Sequence, residues 1–92
     1  MTSQSATIVN ALGMHARAAA RFVQAAGGFA ARVRVSRGGR EVDGKSILGL
    51  LLLAAARGST IVISADGPDE ALAVSTLCCL VADSFGDSTP CA

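Results

Sequence analysis

Gly13-Met14-His15-Ala16-Arg17-Ala18-Ala19-Ala20-Arg21-Phe22-Val23-Gln24-Ala25-Ala26-Gly27-Gly28 reads as a glycine-bearing loop that runs into an alanine-rich helix. Alanine is the best helix former, and Ala19, Phe22, Val23 and Ala26 fall at i, i+3, i+4 and i+7. A helix over Ala16 to Ala26 follows, stopped by Gly27-Gly28 in the manner of a C-terminal glycine cap. His15, the single histidine of the chain, then stands near the N-cap, where the first N–H groups of a helix lack intrahelical partners and carry about half a positive charge. An anion attached to its ring would meet ready donors. Arg17 falls in the first turn, where a cation costs about 0.3–1 kcal/mol against the dipole unless an anion offsets it. The combination suits a phosphoryl group held on a nucleophilic imidazole. The plainer alternative is a capping or surface histidine.

Outward from this helix the elements alternate. Thr7-Ile8-Val9 is short and β-branched and reads as a first strand; Asn10 to Met14 is the loop that delivers His15. Ala31, Val33 and Val35 alternate with Arg32, Arg34 and Ser36, the period of a half-buried strand with a basic outer face. Arg37-Gly38-Gly39-Arg40 supplies a hairpin turn into a short return strand at Glu41-Val42, and Asp43-Gly44 turns the chain again. Thr60 to Ala65 is a further strand, with Val62 on its outer face arguing for a central place in the sheet or for partial cover of that face. Asp66-Gly67-Pro68-Asp69-Glu70 opens a last helix with proline and two carboxylates in its first turn, and Val74, Leu77, Cys78, Val81 and Phe85 form its buried stripe. The order is βαββαβα, an α+β open-faced sandwich with helices on one face of an antiparallel sheet.

A middle helix over Ile47 to Ala56, N-capped by Ser46, is apolar on every side except at Gly49. A domain this small cannot bury all of it. With Leu50 and Leu53 inward, Ile47, Leu48, Leu51 and Leu52 point outward as a patch of the kind that marks a partner surface.

Composition narrows the function classes. Ninety-two residues make one domain, with an ordered core expected over about 5–86 and a tail over 87–92. Hydrophobic residues make up 51% and mean hydropathy is +0.50, yet no apolar run approaches the roughly 20 residues that span a bilayer. No secretory signal is visible behind Met1, so a cytoplasmic protein without membrane insertion is expected. A net charge of +1, three Phe and neither Trp nor Tyr leave nothing to bind nucleic acid. Three cysteines, Cys78, Cys79 and Cys91, make no zinc-type spacing with His15 and read as reduced small hydrophobes, so no metal or cofactor is expected.

Asn10, Gly13-Met14-His15-Ala16-Arg17, Gly44-Lys45-Ser46-Ile47-Leu48, Gly58 and Gly67-Pro68-Asp69-Glu70 with Ala73 resemble the HPr family, the histidine-containing phosphocarriers of the phosphoenolpyruvate-dependent sugar phosphotransferase system of bacteria. The resemblance runs from about Thr7 to Phe85. It implies a four-stranded antiparallel sheet in order 1-4-2-3, covered on one face by three helices. It implies further that His15 accepts a phosphoryl group on Nδ1 from phosphorylated enzyme I and passes it to an EIIA domain, with Arg17 and the N–H groups of Ala16 and Arg17 stabilising the group. Such a protein is a phosphotransfer intermediate, not an enzyme, and a monomer. Partners would dock around His15 on the first two helices, over Ala20, Arg21, Ile47, Leu48, Leu51 and Leu52. Ser46 resembles a regulatory serine modified by HPr kinase/phosphorylase. The family usually has proline after the arginine, whereas this chain has Ala18. Two rivals have their own signatures. An enzyme using His15 as general base needs a second titratable group beside it, drawn from Asp43, Asp66, Asp69 and Glu70. A regulatory adaptor would switch through Ser46 with His15 silent.

Overall fold

In the computed structural model, which describes residues 1–9, 13–53 and 55–83, the chain runs β1 (Thr2–Thr7), α1 (Ala16–Gly27), β2 (Arg32–Arg37), β3 (Arg40–Asp43), α2 (Ile47–Leu53), β4 (Thr60–Asp66) and α3 (Glu70–Ala82). The strands form one antiparallel sheet in the order β1-β4-β2-β3. β4 is central, paired from Thr2↔Ala65 to Thr7↔Thr60 on one side and from Arg32↔Asp66 to Ser36↔Val62 on the other. That double pairing explains why Val62 is half covered on the open face. The inner face carries Val33, Val35, Ile61 and Ile63, closed by Phe22 of α1, Leu50 and Leu53 of α2, and Val74, Leu77 and Val81 of α3, all buried. Arg32 and Arg34 stand on the opposite face, as the period of two requires.

Gly38 and Gly39 both take positive φ (56° and 85°), as the tight turn between the paired Arg37 and Arg40 demands. Elsewhere the elements depart from the sequence reading for identifiable reasons. β1 begins at Thr2 and ends before Ile8, because an edge strand of serine, threonine and glutamine pairs through its backbone and shows no hydrophobic alternation to read. Thr2 Oγ1 fastens its start by donating to Glu70 Oε2 at 2.6 Å. Ile8, fully buried, exchanges backbone bonds with the turn before β4 instead: its N–H donates to Ser59 O and its carbonyl accepts from Gly58 N.

α2 stops at Leu53, with Ala55 and Ala56 outside it, because the Ala55 carbonyl accepts the N–H of Met14 at 2.8 Å. α1 does end at the glycine pair, yet Gly28 has φ −77° and closes the helix in ordinary right-handed geometry, its N–H reaching Ala25 O and Ala26 O. α3 begins at Glu70, so Pro68 precedes the helix and only Glu70 is acidic in its first turn. Asp69 occupies the N-cap without capping: its carboxylate accepts from Ala30 N (2.9 Å) and Ala31 N (2.8 Å) and clamps the α1–β2 loop. Val74, Leu77, Cys78 and Val81 are buried as read, while Cys79 is exposed; burial pushes the Cys78 thiol above its ordinary pKa. Phe85, Cys91, Asn10 and the tail over 87–92 lie outside the described residues. Among those described, no helix is long and apolar enough to cross a membrane.

Candidate functional site

His15 is the N-cap of α1. Its backbone is extended (φ −87°, ψ 179°), its carbonyl accepts the first helical bond from Ala19 N at 2.8 Å, and its side-chain Nδ1 accepts from Ala18 N at 3.0 Å. A neutral imidazole that accepts at Nδ1 carries its proton on Nε2. The ring that caps α1 is therefore the same ring that the sequence marks as the candidate site.

The loop before it is held by close approach. Gly13 sits at φ +65°, where a Cβ would come within 2.6 Å of Ala55 O and 2.9 Å of Ala56 Cα. Met14, buried, donates its N–H to that same Ala55 carbonyl. The His15 loop is thus tied to the chain leaving α2. α1 and α2 pack against each other, which sets the ring beside the helix pair. Ala16 and Arg17 are exposed in the first turn; Ala20 and Arg21, three and four residues past Arg17, continue the same face half-buried. No acidic residue lies in the first turn of α1, so the field at its N-terminus is positive.

α2 presents the apolar patch as read. Leu50 and Leu53 are buried, whereas Leu48 is 67% exposed, Leu52 59%, Ile47 43% and Leu51 37%. Ser46 caps this helix: Oγ accepts from Gly49 N at 3.1 Å and the carbonyl accepts from Leu50 N at 3.1 Å. Ser46 and the His15 loop stand at opposite ends of α2, about 10 Å apart for seven residues at 1.5 Å rise. At the other end, Arg37 Nε donates to Leu53 O (3.2 Å) and Arg40 Nη1 to Leu52 O (2.9 Å). These two arginines, read from sequence only as turn residues, satisfy carbonyls that a helix C-terminus leaves open.

Three of the four carboxylates that a general-base enzyme could draw on are hydrogen-bonded elsewhere. Asp43 Oδ1 accepts from Lys45 N (2.9 Å), Asp69 holds Ala30 and Ala31, and Glu70 accepts from Thr2 and Gly67. Asp66 lines a shallow groove of about 680 Å³ on the open face of the sheet with Arg32, Arg34 and Ser64.

Residues 2–83 match the family model described as PTS HPr component phosphorylation site. The chain belongs to the PTS HPr family. It is 49% identical to the phosphocarrier protein HPr of Cupriavidus necator, over 95% of this chain and 98% of the relative. The phosphocarrier protein HPr of Neisseria meningitidis is 46% identical over the same shares. Among solved structures, HPr-C-His from Thermoanaerobacter tengcongensis superposes with a TM-score of 0.91 at 36% identity, covering 97% of this chain and all of that one. The βαββαβα order, the 1-4-2-3 sheet and the three helices on one face are those of this HPr fold.

Proposed function

We propose that His15 accepts a phosphoryl group on Nδ1 from phosphorylated enzyme I and hands it to EIIA domains, the protein acting as a monomeric cytoplasmic carrier and not as a catalyst. The observation that carries this reading is the placement of Nδ1 at the head of α1, within hydrogen-bond distance of a first-turn amide, in a chain of the HPr family. Arg17 and the N–H groups of Ala16 and Arg17 stabilise the transferred group, since a dianion at a helix N-terminus is favoured by both the dipole and the guanidinium. Partners dock over Ile47, Leu48, Leu51 and Leu52 of α2 and Ala20 and Arg21 of α1, where α2 exposes its apolar side chains and packs against the helix that His15 caps. Phosphorylation of Ser46 by an HPr kinase/phosphorylase would act at the far end of α2, on docking and not on the ring.

Incubation with enzyme I and phosphoenolpyruvate tests the reading. The wild-type chain gains acid-labile, base-stable phosphate and His15→Ala gains none. Because His15 also caps α1, His15→Ala loses about 1 kcal/mol of stability, a drop of about 4–8 °C in melting temperature, while still folding. Full labelling of the variant would move the site elsewhere. Absence of acid-labile label from the wild-type chain would favour the regulatory adaptor or the general-base enzyme.

A further inference from the structure

The helical ladder of α1 starts at Ala19, whose N–H meets the His15 carbonyl at 2.8 Å. The amide one residue earlier has no place in that ladder, and it donates instead to His15 Nδ1 at 3.0 Å. A proline at this position would have no N–H and could not make this bond. Ala18 is fully buried, so water does not compete for its amide.

Two consequences follow from one hydrogen bond. A donor on Nδ1 selects the tautomer with the lone pair on Nδ1 and the proton on Nε2, the form needed for attack through Nδ1. The same bond covers that lone pair, so the ring must turn off the amide before it reacts. Once phosphorus occupies Nδ1 the amide has lost its acceptor, and a buried unpaired N–H is costly. The nearest new acceptors are the phosphoryl oxygens on the same nitrogen, and a charge-assisted bond to them is about twice as strong as the neutral one it replaces.

Resting on the carrier role proposed above, we infer that the Ala18 amide is a shared donor, holding His15 Nδ1 in the attacking tautomer before transfer and passing to a phosphoryl oxygen after it. In the step itself the Nδ1 electron pair forms the new N–P bond. The N–P bond of the phosphohistidine donor breaks, its pair returns to the donor's ring, and that ring, protonated on its other nitrogen, leaves as neutral imidazole. The Nε2 proton stays on His15, so no proton changes hands. Ala18 acts as a positioning residue in the first stage and as a ligand of the phosphoryl in the second.

The test is NMR of the full ¹⁵N-labelled chain before and after loading by phosphoramidate, a small N–P donor that requires no protein partner. In the free protein the ring spectrum shows Nδ1 unprotonated and the Ala18 amide protected from exchange. After loading, phosphorus is on Nδ1, and the Ala18 amide proton moves to lower field and stays protected. Ala18→Gly, which keeps the amide, retains the ring tautomer and the amide response of the wild type at a lower melting temperature. Ala18→Pro, which breaks no ladder bond, leaves the ring in mixed tautomers and lowers the equilibrium constant for loading from phosphorylated enzyme I about fivefold relative to Ala18→Gly.

Nδ1 protonated at rest, phosphorus on Nε2, a freely exchanging Ala18 amide after loading, or equal constants for a folded Ala18→Pro and Ala18→Gly would each overturn the inference. Should Ala18→Pro not fold, the two wild-type spectra decide. Loading by phosphoramidate with the Ala18 response, but none from enzyme I, would sink the carrier role and leave the shared donor standing; loading by both with an unmoved Ala18 amide would do the reverse.

Discussion

At residue scale the candidate site is built from groups that also serve the fold, as His15 does in capping α1. Arg17 is the informative exception. An exposed cation in the first turn of α1 is disfavoured by the helix dipole. On the proposed carrier reading, a phosphoryl group on His15 would add a charge-assisted hydrogen bond to this guanidinium, and such a bond contributes about 1.5–3 kcal/mol. Arg17→Ala should therefore slow transfer from enzyme I by about 10- to 100-fold while the melting temperature changes little. A collapsed melting temperature with normal transfer would make Arg17 structural. Gly13 shows the opposite balance. A methyl there meets backbone at 2.6 Å at a φ that L residues rarely adopt, so Gly13→Ala must push the His15 loop off the α2 exit. The expected outcome is a loss of about 2 kcal/mol or more in denaturant unfolding, together with slowed labelling of His15.

At the scale of the element, α2 is too short to hold by propensity, since helices below about 12 residues are marginal alone. Burial of Leu50 and Leu53, the Ser46 cap and the two arginine bonds to Leu52 O and Leu53 O hold it in place. A negative charge at Ser46 suits the positive end of the helix and should leave the fold intact. It also stands beside Ile47 and Leu48, and a partner burying that face would have to desolvate it. Ser46→Asp is expected to weaken enzyme I-dependent labelling of His15 about tenfold, equal to about 1.4 kcal/mol, at unchanged melting temperature. Rates measured against enzyme I concentration for both proteins check this. Unchanged kinetics would remove α2 from the docking surface.

Across the whole molecule, stability in acid rests on carboxylates that join distant segments. Two backbone N–H groups, Ala30 foremost, hold the Asp69 carboxyl below its ordinary pKa, and the Thr2 hydroxyl and the N-terminal amine do the same for Glu70. With the folded pKa lowered, the unfolded chain binds more protons between the two values, so stability rises with pH there. Both contributions are complete above the ordinary carboxylate range and are lost as pH falls through the lowered values. The melting temperature should be level from neutral pH down to about pH 5 and fall below about pH 4, with a shallower acid limb for Asp69→Asn. An identical limb in the variant would show that the clamp on Ala30 and Ala31 is not what acid breaks. The element order, the buried faces of α2 and α3, the Gly38-Gly39 turn and the position of His15 were all legible in the sequence, because periodicity, glycine and helix caps act over a few residues. Strand β1 from Thr2, the early end of α2 at Leu53, the diversion of Asp69 from capping to clamping and the arginine bonds to α2 were decided only by tertiary structure. Each is a hydrogen bond between groups far apart in the chain, between Thr2 and Glu70 or between Met14 and Ala55, and local residue pattern carries no record of which backbone group a folded chain brings within 3 Å.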